Sequence, residues 1–367
     1  MKITCPRKEF FEAVSAAAVA ASARTSVNIL QTLKIAAEGN NIRVVGCDGE
    51  MWVERNIPAV VEEAGAICVN AKLLNDIANS LPDGDVTLET QDGTDVLVSH
   101  GASEYRLHSL DPVDFPDAPD FGGEHSLRIS LGEFRDAVDS VIFAVSNDPH
   151  RQLLTGVMMS YNGSILRLVA TDTHRLAVRE VSKSGLGSDI SSVVPEKALR
   201  AIKALPLSDE TEVELNFGSG RVGVDAGSAK VITALLQGTY PNWERVVPAE
   251  TSRSWSLEVD QLNSKVKRAM IVAKDSASRL RFKGTDETLL IAARSEEKGD
   301  AKEELSMISR NGDVEIAFNG KYVLEALTPI SGPGVRIEMT EAAKPAIFRP
   351  ADEDKHYFCV VMPMSLM

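Results

Sequence analysis

The 367-residue sequence repeats itself three times, and this repetition constrains the fold more than any other feature. The repeated segment has a short strand end, a lysine at its fourth position, a helical stretch, a turn and an alternating strand. Its copies are VNAKLLNDIANSLPDGDVTLET (69–90), VPEKALRAIKALPLSDETEVELNF (194–217) and FNGKYVLEALTPISGPGVRIEMT (318–340). The period of 124–125 residues is too long for a solenoid, whose repeats span about 20–50 residues. We therefore expect three domains, each with its own core.

Two further landmarks keep the same period. A strand that runs into an amphipathic helix opens each copy, as MKITCPRKEFFEAV, LRISLGEFRDAV (127–138) and WSLEVDQLNSKV (255–266). The aromatic–proline pairs Phe115-Pro116 and Tyr240-Pro241 close the first two copies, 125 residues apart. The Pro- and Gly-rich connectors then predict domain boundaries near 122 and 250. The expected domains are 1–122, 123–250 and 251–367.

Within each copy, alternating strands outnumber helices, which predicts an α+β fold. The first copy contains the strand patterns IRVVGCD, DVTLETQ, DVLVSH and EYRLHSL, and two helices fit beside them. The first helix of the second copy has Ser130 and Glu133 as a capping box. Its apolar stripe consists of Leu131, Phe134, Val138, Val141, Ile142 and Val145.

The equivalent helix of the third copy carries apolar residues on two faces. Its core stripe is Leu262, Val266, Ala269, Met270 and Ala273, which leaves Lys267, Arg268 and Lys274 on the other side. Ile271 and Val272 also lie off the stripe. Such residues are either exposed to solvent or form a second apolar face that contacts another subunit, and the sequence does not decide between these two interpretations.

Composition limits the classes of protein. The chain is 44% hydrophobic and 25% charged, as soluble globular proteins are, and no apolar run reaches membrane-spanning length. The start MKITCPRKEF has no apolar signal region, so we expect a cytoplasmic protein. Cys5, Cys47, Cys68 and Cys359 are scattered, which predicts reduced thiols and no metal site. The net charge of −14 argues against bulk attraction to nucleic acid but permits a basic face.

The stretch ATDTHRLAV (170–178) crowds polar side chains together. Asp172 aligns with Asp48 of the first copy, and we interpret both as turn formers that accept backbone N–H groups. A hydrolase that uses Asp172, His174 and Arg175 is the least favoured function, because no nucleophile motif accompanies them. Alternatively, the His174 side chain has no role beyond a hydrogen bond to its own backbone. We therefore expect no enzyme.

The motifs VATDTHRLAV, YPNWERVVP and VVMPMSLM, with FNGKYVLEAL and the threefold repeat, resemble the bacterial DNA polymerase III beta subunit family of processivity sliding clamps. The resemblance implies three tandem clamp-type domains, with antiparallel sheets outside and two helices per domain inside. It further implies a head-to-tail homodimer whose six domains close a ring around duplex DNA. The implied partners are DNA of any sequence, the replicative polymerase and the clamp loader. The resemblance implies no cofactor and no metal. A peptide-binding scaffold unconnected to DNA is the alternative.

The resemblance also implies a hydrophobic cleft between the second and third domains, where partners insert a short glutamine- and leucine-bearing peptide. Burial of an anchor leucine against the apolar walls would contribute about 1.5–3 kcal/mol to binding. Met362 and Met364 would adapt their shape to different partners. His174 and Arg175 would donate hydrogen bonds at the rim. Thr173 stands where the family often has a small residue, and the tail ends Ser365-Leu366-Met367 where it often has an arginine. The walls would be Leu154, Thr171, Thr173, His174, Arg175, Leu176, Pro241, Arg245, Val246, Val360, Val361, Met362, Pro363 and Met364.

Two other surfaces follow from the resemblance. At the dimer seam, Ile271 and Val272 would face Tyr105 and Leu107 of an edge strand, and Glu303-Glu304 would meet Lys72 or Arg106 across it. The helices would turn basic residues to DNA phosphates, which carry no sequence information. These residues would be Arg24, Lys72, Arg135, Lys197, Arg200, Lys203, Lys265, Lys267, Arg268 and Lys321.

Overall fold

The computed structural model describes residues 1–22, 25–91, 95–121, 125–183, 189–218, 220–274, 277–285, 287–352 and 356–366. Six α-helices form in this part of the chain: α1 (Arg7–Ala18), α2 (Ala71–Ser80), α3 (Leu131–Asp139), α4 (Glu196–Lys203), α5 (Val259–Ala273) and α6 (Gly320–Leu327). Each sequence copy contributes two of them, as predicted.

The strands of the first copy and of the first half of the second are β1 (Lys2–Pro6), β2 (Thr32–Glu38), β3 (Asn41–Cys47), β4 (Met51–Pro58), β5 (Val60–Glu63), β6 (Gly65–Asn70), β7 (Asp85–Thr90), β8 (Asp95–His100), β9 (Ser103–Leu110), β10 (His125–Ser130), β11 (Gly156–Tyr161), β12 (Ile165–Thr171) and β13 (Arg175–Ser182). The strands that follow are β14 (Ile190–Pro195), β15 (Glu212–Gly218), β16 (Arg221–Asp225), β17 (Ala229–Ala234), β18 (Arg253–Glu258), β19 (Arg279–Thr285), β20 (Thr288–Ser295), β21 (Gly299–Ser306), β22 (Ser309–Asn311), β23 (Val314–Asn319), β24 (Gly334–Met339), β25 (Ala346–Pro350) and β26 (Tyr357–Val361).

Side-chain caps explain where several helices begin. Asn70 Oδ1 accepts the N–H of Leu73 at 3.0 Å, and Asn319 Oδ1 accepts that of Lys321 at 2.9 Å. Ser130 Oγ accepts the N–H of Glu133 at 3.2 Å, which is one half of the predicted capping box. These bonds satisfy N–H groups that the first helical turn leaves without partners.

The chain divides into two compact units. Among the described residues, the first consists of Met1–Arg135 and Val194–Leu236. Its sheet of 13 strands runs in the order β10-β15-β16-β17-β4-β3-β2-β6-β9-β8-β7-β1-β5, and α1 packs on α2 and β4. Phe10, Leu33 and Leu74 are fully buried in its core.

The second unit consists of Asp136–Ser184, Asp189–Val193 and Gln237–Met367. It has a nine-stranded sheet, β14-β11-β12-β13-β26-β25-β24-β18-β22, and a four-stranded sheet, β21-β20-β19-β23. Helix α5 packs on β20, β21 and α6. The Phe318 ring meets the rings of Phe282 and Phe348 edge-on, each at a centroid distance of 5.6 Å.

The sheets cross the boundaries that the sequence repeat predicts. Strand β17 of the middle copy pairs with β4 of the first, and β13 of the middle copy pairs with β26 of the third. An unpaired edge strand exposes a row of backbone N–H and C=O groups, and pairing between copies satisfies them. The repeat unit of the sequence and the packing unit of the structure are therefore different. Among the described residues, no helix is long and apolar enough to cross a membrane.

Candidate peptide-binding cleft and basic helix faces

The opening of β13 is a tight turn held by one carboxylate. Asp172 Oδ1 accepts the backbone N–H groups of His174 at 2.9 Å and Arg175 at 3.0 Å. Asp48 does the same for Glu50 at 3.0 Å and Met51 at 2.8 Å, which confirms the turn-forming role predicted for both aspartates.

Thr173 occupies the left-handed backbone region, with φ of 77°. The equivalent position of the first copy is Gly49, with φ of 96°, and glycine adopts this conformation without steric cost. A β-branched side chain there stores about 1–2 kcal/mol of strain. The Thr173 hydroxyl is exposed at the turn and accepts a bond from Arg151 Nη1 at 2.9 Å.

Arg175 is a structural residue and not the rim donor that we expected. Only 7% of it is exposed. Its Nε donates to Asp172 Oδ2 at 3.1 Å, and its terminal nitrogens donate to Glu325 and to the carbonyl of Phe143. The guanidinium also lies 4.4 Å from the centre of the Tyr322 ring. These contacts commit the charged group of Arg175 to holding the hairpin against α6.

His174 is exposed beside this network. Its ring centre lies 6.5 Å from that of Tyr322, and the two planes differ by 19°. Its carbonyl accepts the N–H of Met362 at 2.8 Å, which joins the turn to the segment after β26. Thr171 Oγ1 donates to the Arg175 carbonyl at 2.7 Å. The polar groups of ATDTHR thus support the hairpin.

A buried apolar cluster lies beside the turn on the nine-stranded sheet. In the antiparallel register, Leu176 faces Val360, which faces Ile347 on its other side, so the three side chains share one sheet face. The full cluster is Met158, Val169, Leu176, Val178, Ile347 and Val360, with partly buried Tyr240, Trp243, Val247 and Phe358 packed against it. The Arg167 guanidinium lies 5.6 Å from the Trp243 ring.

The other predicted wall residues differ in exposure. Leu154 is buried, Thr171, Met362, Pro363 and Met364 are half-buried, and Pro241, Arg245 and Val246 are exposed. Val246 shows 44% of its surface, unusually much for an apolar residue. Apolar walls with accessible rims are what a small-peptide groove requires.

Val361 does not line this face. It pairs with Arg175 across the strands, on the face opposite Val360, and it is fully buried. Tyr357, on the same face, donates to the Ala326 carbonyl of α6 at 2.9 Å. We therefore remove Val361 from the cleft walls. Cys359 lies on that inner face too, and burial raises the pKa of its thiol to about 12, so it remains protonated at neutral pH.

Several residues around the cleft carry no signal in the sequence that predicts their role. Arg151 and Tyr322 contact the turn, and Ile347 and Trp243 belong to the apolar cluster. Tyr240 belongs to the aromatic–proline pair of the repeat, and its ring packs against the apolar cluster. Its hydroxyl lies 3.5 Å from the Val169 carbonyl, and burial raises its pKa.

Basic residues recur at the first turn of the second helix in each copy. Lys72, Lys197 and Lys321 are all exposed there. Lys197 Nζ lies 2.5 Å from Asp48 Oδ2, and Lys321 Nζ lies 3.9 Å from Glu325 Oε1. Arg200 is exposed and pairs with Glu196 at 2.5 Å, while Lys203 is half-buried. Arg24 lies outside the described residues.

Arg135 departs from the expectation that it faces DNA. Its Nε donates to the Lys203 carbonyl at 2.9 Å, and its terminal nitrogens donate to the carbonyls of Leu205 and Leu207 and to Asp209. The guanidinium clamps the chain that follows α4, so we remove Arg135 from the phosphate contacts.

Helix α5 pairs its basic residues with β21. The Glu303 carboxylate pairs with Lys265 Nζ at 3.1 Å and with Arg268 Nε at 2.7 Å. The hydrogen bond from Arg268 is the main cause that lowers the pKa of Glu303 to about 2. Glu304 pairs with Lys302 at 2.8 Å. Glu303 and Glu304 therefore already have cation partners within the chain, and their pairing with Lys72 or Arg106 of a second copy stays a prediction. Lys267 is exposed.

The predicted seam residues are only partly at the surface. Ile271 is 70% exposed, Val272 and Tyr105 are half-buried, and Leu107 is 6% exposed within the core of the first unit. Leu107 therefore contributes almost no surface, because it packs in the core of the first unit. Strand β9 pairs with β6 only at Ser109 and Leu110, and β21 ends the four-stranded sheet. Within the part of the chain that the structure describes, both strands thus have an open backbone edge.

Family models match almost the whole chain. The N-terminal, central and C-terminal domains of the DNA polymerase III beta subunit match residues 1–119, 128–242 and 244–365, in that order. The chain belongs to the DNA polymerase III beta subunit family. This confirms the resemblance and the α+β clamp-type fold of three tandem copies. The family is a processivity factor and not an enzyme, which sets the hydrolase alternative aside.

Relatives and solved structures agree with this assignment. The beta sliding clamp of Staphylococcus aureus (strain Mu50 / ATCC 700699) is 29% identical over 364 residues, which is 96% of this chain and 97% of the relative. The sliding clamp of Bacillus subtilis matches at a TM-score of 0.94 and 25% identity, over the full length of both chains. A Pseudomonas aeruginosa sliding clamp bound to griselimycin matches at 0.92 and 28%, also over both full lengths.

Proposed function

We propose that this chain is a DNA sliding clamp: two copies join head to tail, enclose duplex DNA and tether the replicative polymerase. The observation that carries the proposal is the match of all three family domains along the chain, in order. A tether keeps a polymerase that has released the primer end at high local concentration, so it rebinds before diffusing away. The clamp itself needs no catalytic residue for this task.

Exposed lysines at one repeated place support a DNA-facing role for the helices. Lys72, Lys197 and Lys321 each stand on the first turn of the second helix of a copy. A threefold repeat of one positive charge suits a duplex, whose phosphates present no sequence information. Lys72 is the strongest candidate for a phosphate contact, because Asp48 already neutralises part of the Lys197 charge and Glu325 lies 3.9 Å from Lys321. Lys267 adds an exposed charge on α5.

Open strand edges support a head-to-tail seam. Strands β9 and β21 are each eight residues long and each leaves one edge without a partner over most of its length in the described chain. Pairing β9 of one copy with β21 of another would satisfy both edges. The 70% exposed Ile271 would then be buried beside the half-buried Tyr105. A seam of this kind is held by few apolar contacts, so a loader can separate it.

The apolar cluster around Leu176, Val360 and Ile347 supports a partner-peptide site. Exposed Val246 and half-buried Met362 and Met364 would cover a leucine side chain, and thioethers adapt to partners of different shape. The exposed Thr173 hydroxyl and the exposed His174 ring would fix the peptide's direction. Arg151 is a further rim cation through its bond to Thr173.

Topological retention on DNA tests the proposal. The protein is loaded onto a nicked circular plasmid with a clamp loader, and the complex is isolated by gel filtration in high salt. We expect the protein to elute with the circle and to be lost when a restriction enzyme cuts the circle. Equal retention on circular and linear DNA would point to ordinary binding, and no retention on either would favour the DNA-independent peptide scaffold.

A further inference from the structure

The first unit contains a groove built like the candidate cleft, which we call the connector groove. It lies between the sheet at Trp52, Gly223 and Ile232 and the connector segment Ala118–Phe121 that follows the first copy. Its free volume is about 390 Å³.

Strand register relates the connector groove to the candidate cleft. Trp52 faces Ile232, which faces Gly223. In the cleft, Leu176 faces Val360, which faces Ile347, and Trp52 precedes Leu176 by 124 residues. The two floors are therefore the same arrangement of three neighbouring strands, built once in each unit.

Side-chain size makes the two sites different. Where the cleft has Ile347, the connector groove has Gly223, and the ring of Phe121 fills the space. A Cβ atom on Gly223 would lie only 2.5 Å from Phe121 Cε1, and one on Gly218 would lie 3.5 Å from Cε2. Gly223 does not have a positive φ, so glycine is needed for space and not for backbone conformation.

Upstream contacts fix where Phe121 arrives. Phe115 is 3% exposed in a cluster with Trp52. Trp52 Nε1 donates to the Pro116 carbonyl at 3.4 Å, and Lys34 pairs with Asp117 at 3.6 Å. Phe121 precedes Val246, the exposed rim residue of the cleft, by 125 residues. At this repeated position, the first copy packs Phe121 onto the sheet, whereas the second copy leaves Val246 exposed.

We propose that the connector groove is a second peptide groove and that this chain's own Phe121 is its occupant. The connector plugs the site, so each protomer offers one open cleft instead of two. The groove accepts an apolar anchor side chain of an extended peptide when Phe121 is absent. This inference rests on the proposed function only in taking the cleft as a peptide site.

Binding stoichiometry tests the second groove. The probe is a fluorescein-labelled synthetic hexapeptide with one glutamine and two leucines, titrated by calorimetry into the full-length protein. We expect one peptide per protomer for the wild type and two for Phe121→Ala. Phe121→Ala combined with Gly223→Val returns to one, because the valine fills the opened space. Val113→Ala is the matched control, since Val113 lies in the same connector and is 86% exposed.

Hydrogen exchange tests the plug independently of the cleft. We expect at least tenfold faster exchange across 221–225, whose backbone pairs with β15 and β17, in Phe121→Ala and in Gly223→Val, and no change in Val113→Ala. Millimolar N-acetyl-phenylalaninamide should slow exchange across 221–225 again in Phe121→Ala, while N-acetyl-alaninamide should not.

The outcomes separate the two proposals. One peptide per Phe121→Ala protomer overturns the second groove and leaves the cleft intact. No peptide on the wild type instead refutes the proposed cleft, and the response to N-acetyl-phenylalaninamide then decides the groove. Unchanged exchange in Phe121→Ala refutes the plug.

Discussion

Replacing Arg175 by methionine removes the charge that holds the β13 hairpin, and its cost follows from the contacts. Arg175 is 7% exposed, and its ion-pair partners Asp172 and Glu325 expose 14% and 27% of their side chains. Removal of one member of a buried ion pair typically costs about 3–5 kcal/mol, because the other charge stays desolvated without a partner. That is a large fraction of the roughly 5–15 kcal/mol by which a domain is stable.

The assay compares this variant with one at a half-buried pair, whose arginine is more accessible than Arg175. Arg167→Met removes a pair with Glu180 whose side chains are 27% and 25% exposed, and we expect a loss of about 1 kcal/mol. Urea unfolding, with hydrogen exchange of the 170–178 hairpin, measures both. A second variant, Arg175→Met with Glu325→Leu, should recover part of the loss because it leaves one fewer unpaired buried charge.

Two results would refute this reasoning. If Arg175→Met cost no more than Arg167→Met, the network would not carry the hairpin. If the added Glu325→Leu deepened the loss, the desolvated carboxylate would not be its cause.

Three further predictions address other surfaces. Ile271→Asp with Val272→Asp should give monomers by sedimentation, because two carboxylates would enter the apolar seam; an intact dimer would remove that seam. Deletion of residues 363–367 should abolish binding of the hexapeptide with the dimer unchanged, and unaltered affinity by calorimetry would count against the cleft. Glu303 has a pKa lowered from 4.5 to about 2, so its contribution to stability is complete above pH 4.5 and is lost as the pH falls through 2. Glu303→Gln should therefore reduce the acid-induced loss of stability between those pH values, and an unchanged acid unfolding curve would contradict the pairing with Lys265 and Arg268.

Local patterns determined much of the fold from sequence. The strand patterns of the first copy correspond to β3, β7, β8 and β9, and the cap at Ser130 and the turn at Asp172 formed as predicted. Each depends on residues no more than a few positions apart, where hydrogen bonding and side-chain alternation follow directly from the order of residues.

The sequence did not show which groups the buried arginine side chains bind. Arg135 and Arg175 have the composition of surface residues, yet one binds carbonyls about 70 positions away and the other binds Glu325, 150 positions away. Leu107 and Val361 were likewise predicted at binding surfaces but are buried. Alternation of apolar and polar residues separates the two faces of a strand, but it does not show which face other elements cover.

The sequence by itself determined that the chain is a threefold repeat with strands, two helices per copy and matching turns. The tertiary structure decided that the middle copy shares its strands between two units, which of the basic residues remain exposed, and that Phe121 rests on Gly223 where the other unit has Ile347. The reason is that a repeat specifies equivalent backbones, whereas the space above each backbone depends on side chains brought together from about 100 positions apart.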